Sequence, residues 1–176
     1  MNLPNILTSI RIILVPIYLF VFFSNLENRL LISLFIFILA GITDFLDGYI
    51  ARKNNLVTKL GKVLDPLADK LMMFAVLISL TKSNLIPSWI VSILVLKEIL
   101  MILGGGILYL FKGNQVLPAN IYGKSATLCF YLATLVTILN QGSNVSKILF
   151  IITVGLNIIA FLNYFIIYLT MRKQNK

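Results

Sequence analysis

Asp44, Asp47, Asp65 and Asp69 are the four aspartates of this chain, and they fall within 26 residues of an otherwise apolar protein. They read Asp44-x2-Asp47-Gly48-x2-Ala51-Arg52, then eight residues, then Gly61-x3-Asp65-x3-Asp69. The pairs are spaced i to i+3 and i to i+4, so each pair points off one helix face. Ionised carboxylates at the margin of a membrane are costly unless hydrated, paired or bound to cations. Four that converge point to a divalent metal site, and a metal site beside a membrane points to phosphate chemistry on a lipid. Hard cations such as Mg²⁺ and Mn²⁺ favour carboxylate oxygens and bridge phosphates. Two ions held by Asp44, Asp47, Asp65 and Asp69 would neutralise a pyrophosphate and the charge that builds on a leaving phosphate.

The small and basic residues between the acids fit that chemistry. Gly48 removes a side chain where a substrate would lie against the helix, and Arg52, one turn on, offers a planar fork for phosphate oxygens. Ala51 and Gly61 allow close helix approach. A plainer reading has the aspartates capping helices or pairing with bases: Asp65 before Pro66 has the form of an N-cap, and Lys70 is a candidate partner. That accounts for one or two of the acids and leaves the set unexplained.

The elements that must position these residues are membrane helices. The chain has 176 residues, 59% hydrophobic and 12% charged, with a mean hydropathy of +0.97. A soluble domain of this size cannot hide so much apolar surface, whereas a bilayer solvates it. Six spans are expected, at about Ile6 to Phe23 (broken by Arg11 and Pro16), Leu30 to Ala51, Gly61 to Thr81, Pro87 to Phe111, Ala119 to Leu139 and Lys147 to Thr170. The Gly104-Gly105-Gly106 run reads as close packing or a kink, and Gln141-Gly142-Ser143-Asn144 as an external loop. The opening Met1-Asn2-Leu3-Pro4-Asn5 lacks a basic n-region, so the first apolar run is expected to be a retained helix. One domain, residues 1–176, is expected.

Charge sets the orientation. The net charge of +9 lies mainly in short loops and the tail, which fits topology signals and anionic headgroups rather than nucleic acid. Arg52, Lys53, Lys59, Lys62, Lys112, Lys124, Arg172, Lys173 and Lys176 fall on one side, against Arg29, Lys82 and Lys147 on the other. Both termini are therefore expected in the cytoplasm, with the aspartates at a shallow site reachable from it. Histidine is absent, which removes His-based acid–base catalysis, Ser-His triads and the usual zinc sites. Cys129, the single cysteine, reads as a small apolar filler.

The pattern from Asp44 to Asp69 resembles the signature of the CDP-alcohol phosphotransferase family, with eight fixed residues matched at their spacings. The resemblance implies that family's fold, an all-α integral membrane bundle of six transmembrane helices, and covers essentially the whole chain. It implies that Asp44, Asp47 and Asp65 ligate metal, and that Asp69 both touches metal and acts as general base on the acceptor hydroxyl. Gly48 and Arg52 match positions lining the CDP site, beside Asp44 and Gly61. The implied reaction is attack of an alcohol on the β-phosphorus of CDP-diacylglycerol with loss of CMP, in a plasma-membrane homodimer.

Within that family the opening Asn2-Leu3-Pro4-Asn5-Ile6-Leu7-Thr8-Ser9-Ile10-Arg11 is similar to the start of bacterial phosphatidylglycerophosphate synthases, as are Gly41-Ile42-Thr43 and Gly123-Lys124-x2-Thr127. Glycerol 3-phosphate is then the implied acceptor, with Lys124, Lys97 and Thr43 as candidates for holding its phosphate. Lys97-Glu98 departs from the Arg-Glu usual there, and Lys supplies charge without a bidentate fork. A cardiolipin synthase of the same fold, using phosphatidylglycerol, is the alternative. From another class, a divalent-cation transporter would place its acids near the bilayer midplane on broken helices in related halves.

Overall fold

The computed structural model describes residues 3–53, 61–111 and 121–174. They form six α-helices: α1 (Leu3–Phe22), α2 (Arg29–Lys53), α3 (Gly61–Lys82), α4 (Ser88–Phe111), α5 (Ile121–Leu139) and α6 (Asn144–Gln174). Four of these, α1, α2, α5 and α6, contain stretches long and apolar enough to cross a membrane. Their outward faces are apolar too: Phe20, Phe35, Phe45, Leu128 and Ile148 are all exposed. Water penalises that arrangement, while acyl chains solvate it.

The helices fall into two compact units, residues 1–83 and 84–176. In the first, α1 packs extensively on both α2 and α3, which meet each other far less. The reason is a single stripe along α1. Pro4, Thr8, Arg11, Leu14, Tyr18 and Phe22 recur every three or four residues, and every one of them is buried. The stripe is apolar from Leu14 onward and polar at Thr8 and Arg11. On α2 the matching stripe runs Ser33, Phe37, Ala40, Thr43 and Asp47. On α3, Ala68, Met72, Ala75, Val76 and Leu80 fill the core.

In the second unit α6 packs on both α5 and α4. Phe130 and Phe150 meet edge to face across the α5–α6 contact, with ring centroids 6.2 Å apart. The α5–α6 turn is closed by a bond from the Gly142 amide to the Thr137 carbonyl, with Gln141 and Gly142 at φ of 46° and 81°. This is a left-handed helix stop of the kind glycine favours, and it is the loop expected at Gln141–Asn144.

Three local expectations are corrected. α1 is not broken: it runs through Arg11 and Pro16, because the proline deprives only the Ile12 carbonyl of its amide while the buried stripe holds both halves. Asp65 is not an N-cap: α3 begins at Gly61 and Pro66 lies inside it. At Gly104 an added Cβ meets no atom within 4 Å among the described residues, and α4 continues through residues 104–106, so no close approach is made at Gly104 among those residues. Helix ends otherwise fall within a few residues of those expected; Ala119, the expected start of the fifth helix, lies outside the described residues.

Candidate active site

The chemistry-bearing residues of the first unit meet at one end of it, where α1 begins, α2 ends and α3 begins. Arg11 projects from the buried stripe of α1. Its Nη1 stands 2.6 Å from Asp44 Oδ1, and its Nη2 forms an ion pair and hydrogen bond with Asp47 Oδ2. One guanidinium therefore holds both acids of α2, which their i to i+3 spacing presents on the same face. Burial separates the two: the Asp47 side chain is 3% exposed and that of Asp44 44%.

Thr8, one turn before Arg11, joins α3 to this cluster. Its hydroxyl lies 2.5 Å from Asp65 Oδ1, 3.4 Å from Asp47 Oδ2 and 3.1 Å from the Pro4 carbonyl. A hydroxyl carries one proton, so these three acceptors compete for it, and the shortest approach assigns it to Asp65. Thr8 and Arg11 thus fasten Asp44 and Asp47 of α2 and Asp65 of α3 to the same turn of α1. The three carboxylates lie within Coulomb range of one another.

The remaining expected site residues divide by unit. Asp69 lies one turn beyond Asp65 on α3 and is half-buried. Gly48 directly follows Asp47 on α2, and Gly61 is the buried first residue of α3. Arg52 occupies the last turn of α2, and its side chain lies outside the described residues. Thr43 is buried, with its hydroxyl donating to the Ala40 carbonyl at 2.8 Å. Lys97 and Lys124 belong to the second unit. Lys97 Nζ lies 2.7 Å from Glu98 Oε1, a neighbour in sequence that is itself buried. Lys124 is exposed in the first turns of α5.

Sequence reasoning missed the roles of Thr8 and Arg11, although the signal was present. They stand at i and i+3, a polar pair within an apolar helix, and a charge inside such a segment calls for a partner. Their acidic partners lie 33 to 57 residues away, which no local pattern discloses.

The donor chemistry of this cluster fits a hard divalent cation, since carboxylate oxygens are its preferred ligands. Among the described residues, however, no three acidic side chains stand as a ready-made ion cage. The cation that Asp44 and Asp47 share here is the guanidinium of Arg11.

Comparisons with known proteins bear on the same residues. The family described as CDP-alcohol phosphatidyltransferase matches residues 1–159, which include all four aspartates, Thr8 and Arg11. The chain is similar to the CDP-diacylglycerol–glycerol-3-phosphate 3-phosphatidyltransferase of Bacillus subtilis (strain 168), 38% identical over 152 residues, covering 80% of this chain and 78% of the relative. Its likeness to the protein of that name from Aquifex aeolicus (strain VF5) is 42% over 144 residues, covering 80% and 78%. A cardiolipin synthase (CMP-forming) of Streptomyces coelicolor is 32% identical over 147 residues, covering 81% of this chain and 67% of the relative.

Proposed function

The chain belongs to the CDP-alcohol phosphatidyltransferase family, and from that premise we propose that it transfers the phosphatidyl group of CDP-diacylglycerol to glycerol 3-phosphate, releasing CMP. The observation that carries this reading is the meeting of Asp44, Asp47 and Asp65 at one end of a lipid-solvated helical unit. The names of the relatives supply the donor and the acceptor. Acids gathered at helix ends also suit a reaction at a headgroup better than passage of an ion through the midplane.

The acceptor oxygen attacks the β-phosphorus, a new P–O bond forms, and the bond to the CMP oxygen breaks. Asp69 takes the acceptor proton, and its place one turn from Asp65 sets it beside the anchored acids. Asp44, Asp47, Asp65 and Asp69 are the proposed ligands of two divalent ions, Mg²⁺ or Mn²⁺, which when bound offset the charge of the pyrophosphate. Gly48, Gly61, Asp44 and Arg52 line the CDP-lipid site, with Arg52 directing its fork to phosphate. The candidates for holding the phosphate of the acceptor are Thr43 in the first unit and, in the second, Lys97 and Lys124. The chain acts as one membrane domain of six spans, a homodimer in the plasma membrane with the acids on the cytoplasmic side.

One observation favours a second acceptor, the likeness to a cardiolipin synthase. Incubating the purified protein with CDP-diacylglycerol and a panel of alcohols, then weighing the lipid product by mass spectrometry, decides between them. Phosphatidylglycerophosphate is expected. Cardiolipin as the product would make phosphatidylglycerol the acceptor in place of glycerol 3-phosphate, and no CMP with any alcohol would end the phosphatidyltransferase reading.

A further inference from the structure

We propose that Arg11 is an internal counter-cation of the metal-free site, a positioning residue that holds the acids of α2 together and must release Asp44 when a divalent ion binds. The inference rests on the metal reading given above and goes beyond it, since it assigns a competing cation within the chain itself.

The geometry carries it in three steps. Arg11 is almost fully buried and spans both Asp44 and Asp47, so without it two neighbouring carboxylates would repel at the edge of a low-dielectric medium. The guanidinium is nevertheless incompletely satisfied. Its Nε is buried with no hydrogen-bond partner among the described residues, and Nη1, although 2.6 Å from Asp44 Oδ1, makes no hydrogen bond among them. A structural arginine is ordinarily locked by most of its five donors, so this one is held by charge more than by fit. Finally, the two acids differ in what their release costs. Asp47 is enclosed, whereas Asp44 is 44% exposed and can exchange its half of the guanidinium for another cation while hydrated. Arg11 then stays with Asp47, and Asp44 becomes the carboxylate that turns to the incoming ion.

Competition of this kind makes a prediction opposite to that of a merely structural role. Mn²⁺ alone, titrated into purified full-length protein in detergent and followed by electron paramagnetic resonance and by the thermal midpoint, provides the readout. Arg11→Gln should bind Mn²⁺ roughly tenfold more tightly than the parent, the size of one partly screened ion pair removed from competition. It should have a lower midpoint without Mn²⁺ and a larger rise with it. Arg11→Lys, which keeps the charge but cannot span two carboxylates, should tighten binding by a smaller factor, about threefold, and stands in should the glutamine variant not fold. Unchanged or weaker binding in the folded variants would overturn the proposal, because a structural arginine supports the site and its loss loosens it. Asp65→Asn separates the two readings. If the parent shows no saturable Mn²⁺ binding that Asp65→Asn weakens, the metal site itself fails and the counter-cation role falls with it. If that binding is present and the Arg11 variants do not tighten it, only the counter-cation role is lost.

Discussion

Arg11 and Asp47 form an ion pair in which both side chains are almost wholly enclosed, 2% and 3% exposed, although 36 residues separate them in the chain. Arg11 makes a second pair to Asp44, whose side chain is 44% exposed. One cation thus serves an enclosed acid and a half-exposed one, and removing either acid should have unequal effects. Asp47→Ala strands a buried guanidinium and should cost about 3 kcal/mol, whereas Asp44→Ala should cost under about 1 kcal/mol. Thermal midpoints of the two variants in one detergent test this. Equal losses would mean that the enclosed pair is no stronger than the wet one.

Thr8 reaches Asp65 with its only proton, so Thr8→Val should leave the fold intact and free that carboxylate. Groups that orient ligands typically carry a factor of about 10 to 100 in activity. A tenfold or greater fall in transfer rate is expected, with Thr8→Ser near the parent. A valine variant of full activity would remove Thr8 from the site.

Asp69→Asn keeps shape and removes the proton acceptor. Transfer from CDP-diacylglycerol to labelled glycerol 3-phosphate should drop by about 10²-fold or more while the protein stays inserted and folded. Substantial turnover by this variant would reassign the base.

Chelation should silence the reaction, and added Mg²⁺ or Mn²⁺ should restore it. The assay is CMP release before and after EDTA. Turnover indifferent to the chelator would leave the four carboxylates without their proposed ions.

In the second unit, Gly142 sits at φ 81°, and an added Cβ would stand 3.0 Å from the Leu85 carbonyl oxygen. Gly142→Ala should destabilise by about 1–2 kcal/mol through strain at the α5–α6 turn. A melt followed by circular dichroism measures this, and an unchanged midpoint would show that the turn relaxes freely.

The six helices and the two acid pairs were legible in the sequence because both depend on short-range periodicity: apolar runs of helical length, and carboxylates spaced to share a face. What local pattern could not supply was the partner across the fold. Arg11 read as an interruption of the first helix, yet its charge joins α1 to both acids of α2 at that end. Asp65 read as a cap because Pro66 follows it, but α3 begins at Gly61, and the acid accepts a hydrogen bond from Thr8 instead. Lys97, expected as a holder of the acceptor phosphate, pairs with adjacent Glu98. The glycines at 104–106 carried a sequence signal with no steric counterpart at Gly104.

Arg11 also leaves its mark on biogenesis. α1 precedes α2, the helix that supplies both counter-charges of Arg11, so during synthesis it must enter the bilayer with a bare guanidinium, a handicap bounded by the roughly 2.5–3.5 kcal/mol of a charge at mid-span. Relief comes only when the acidic end of α2 leaves the ribosome. Nascent chains halted before Asp44 should therefore hold their first segment poorly in the membrane, and those halted after Asp47 should hold it well.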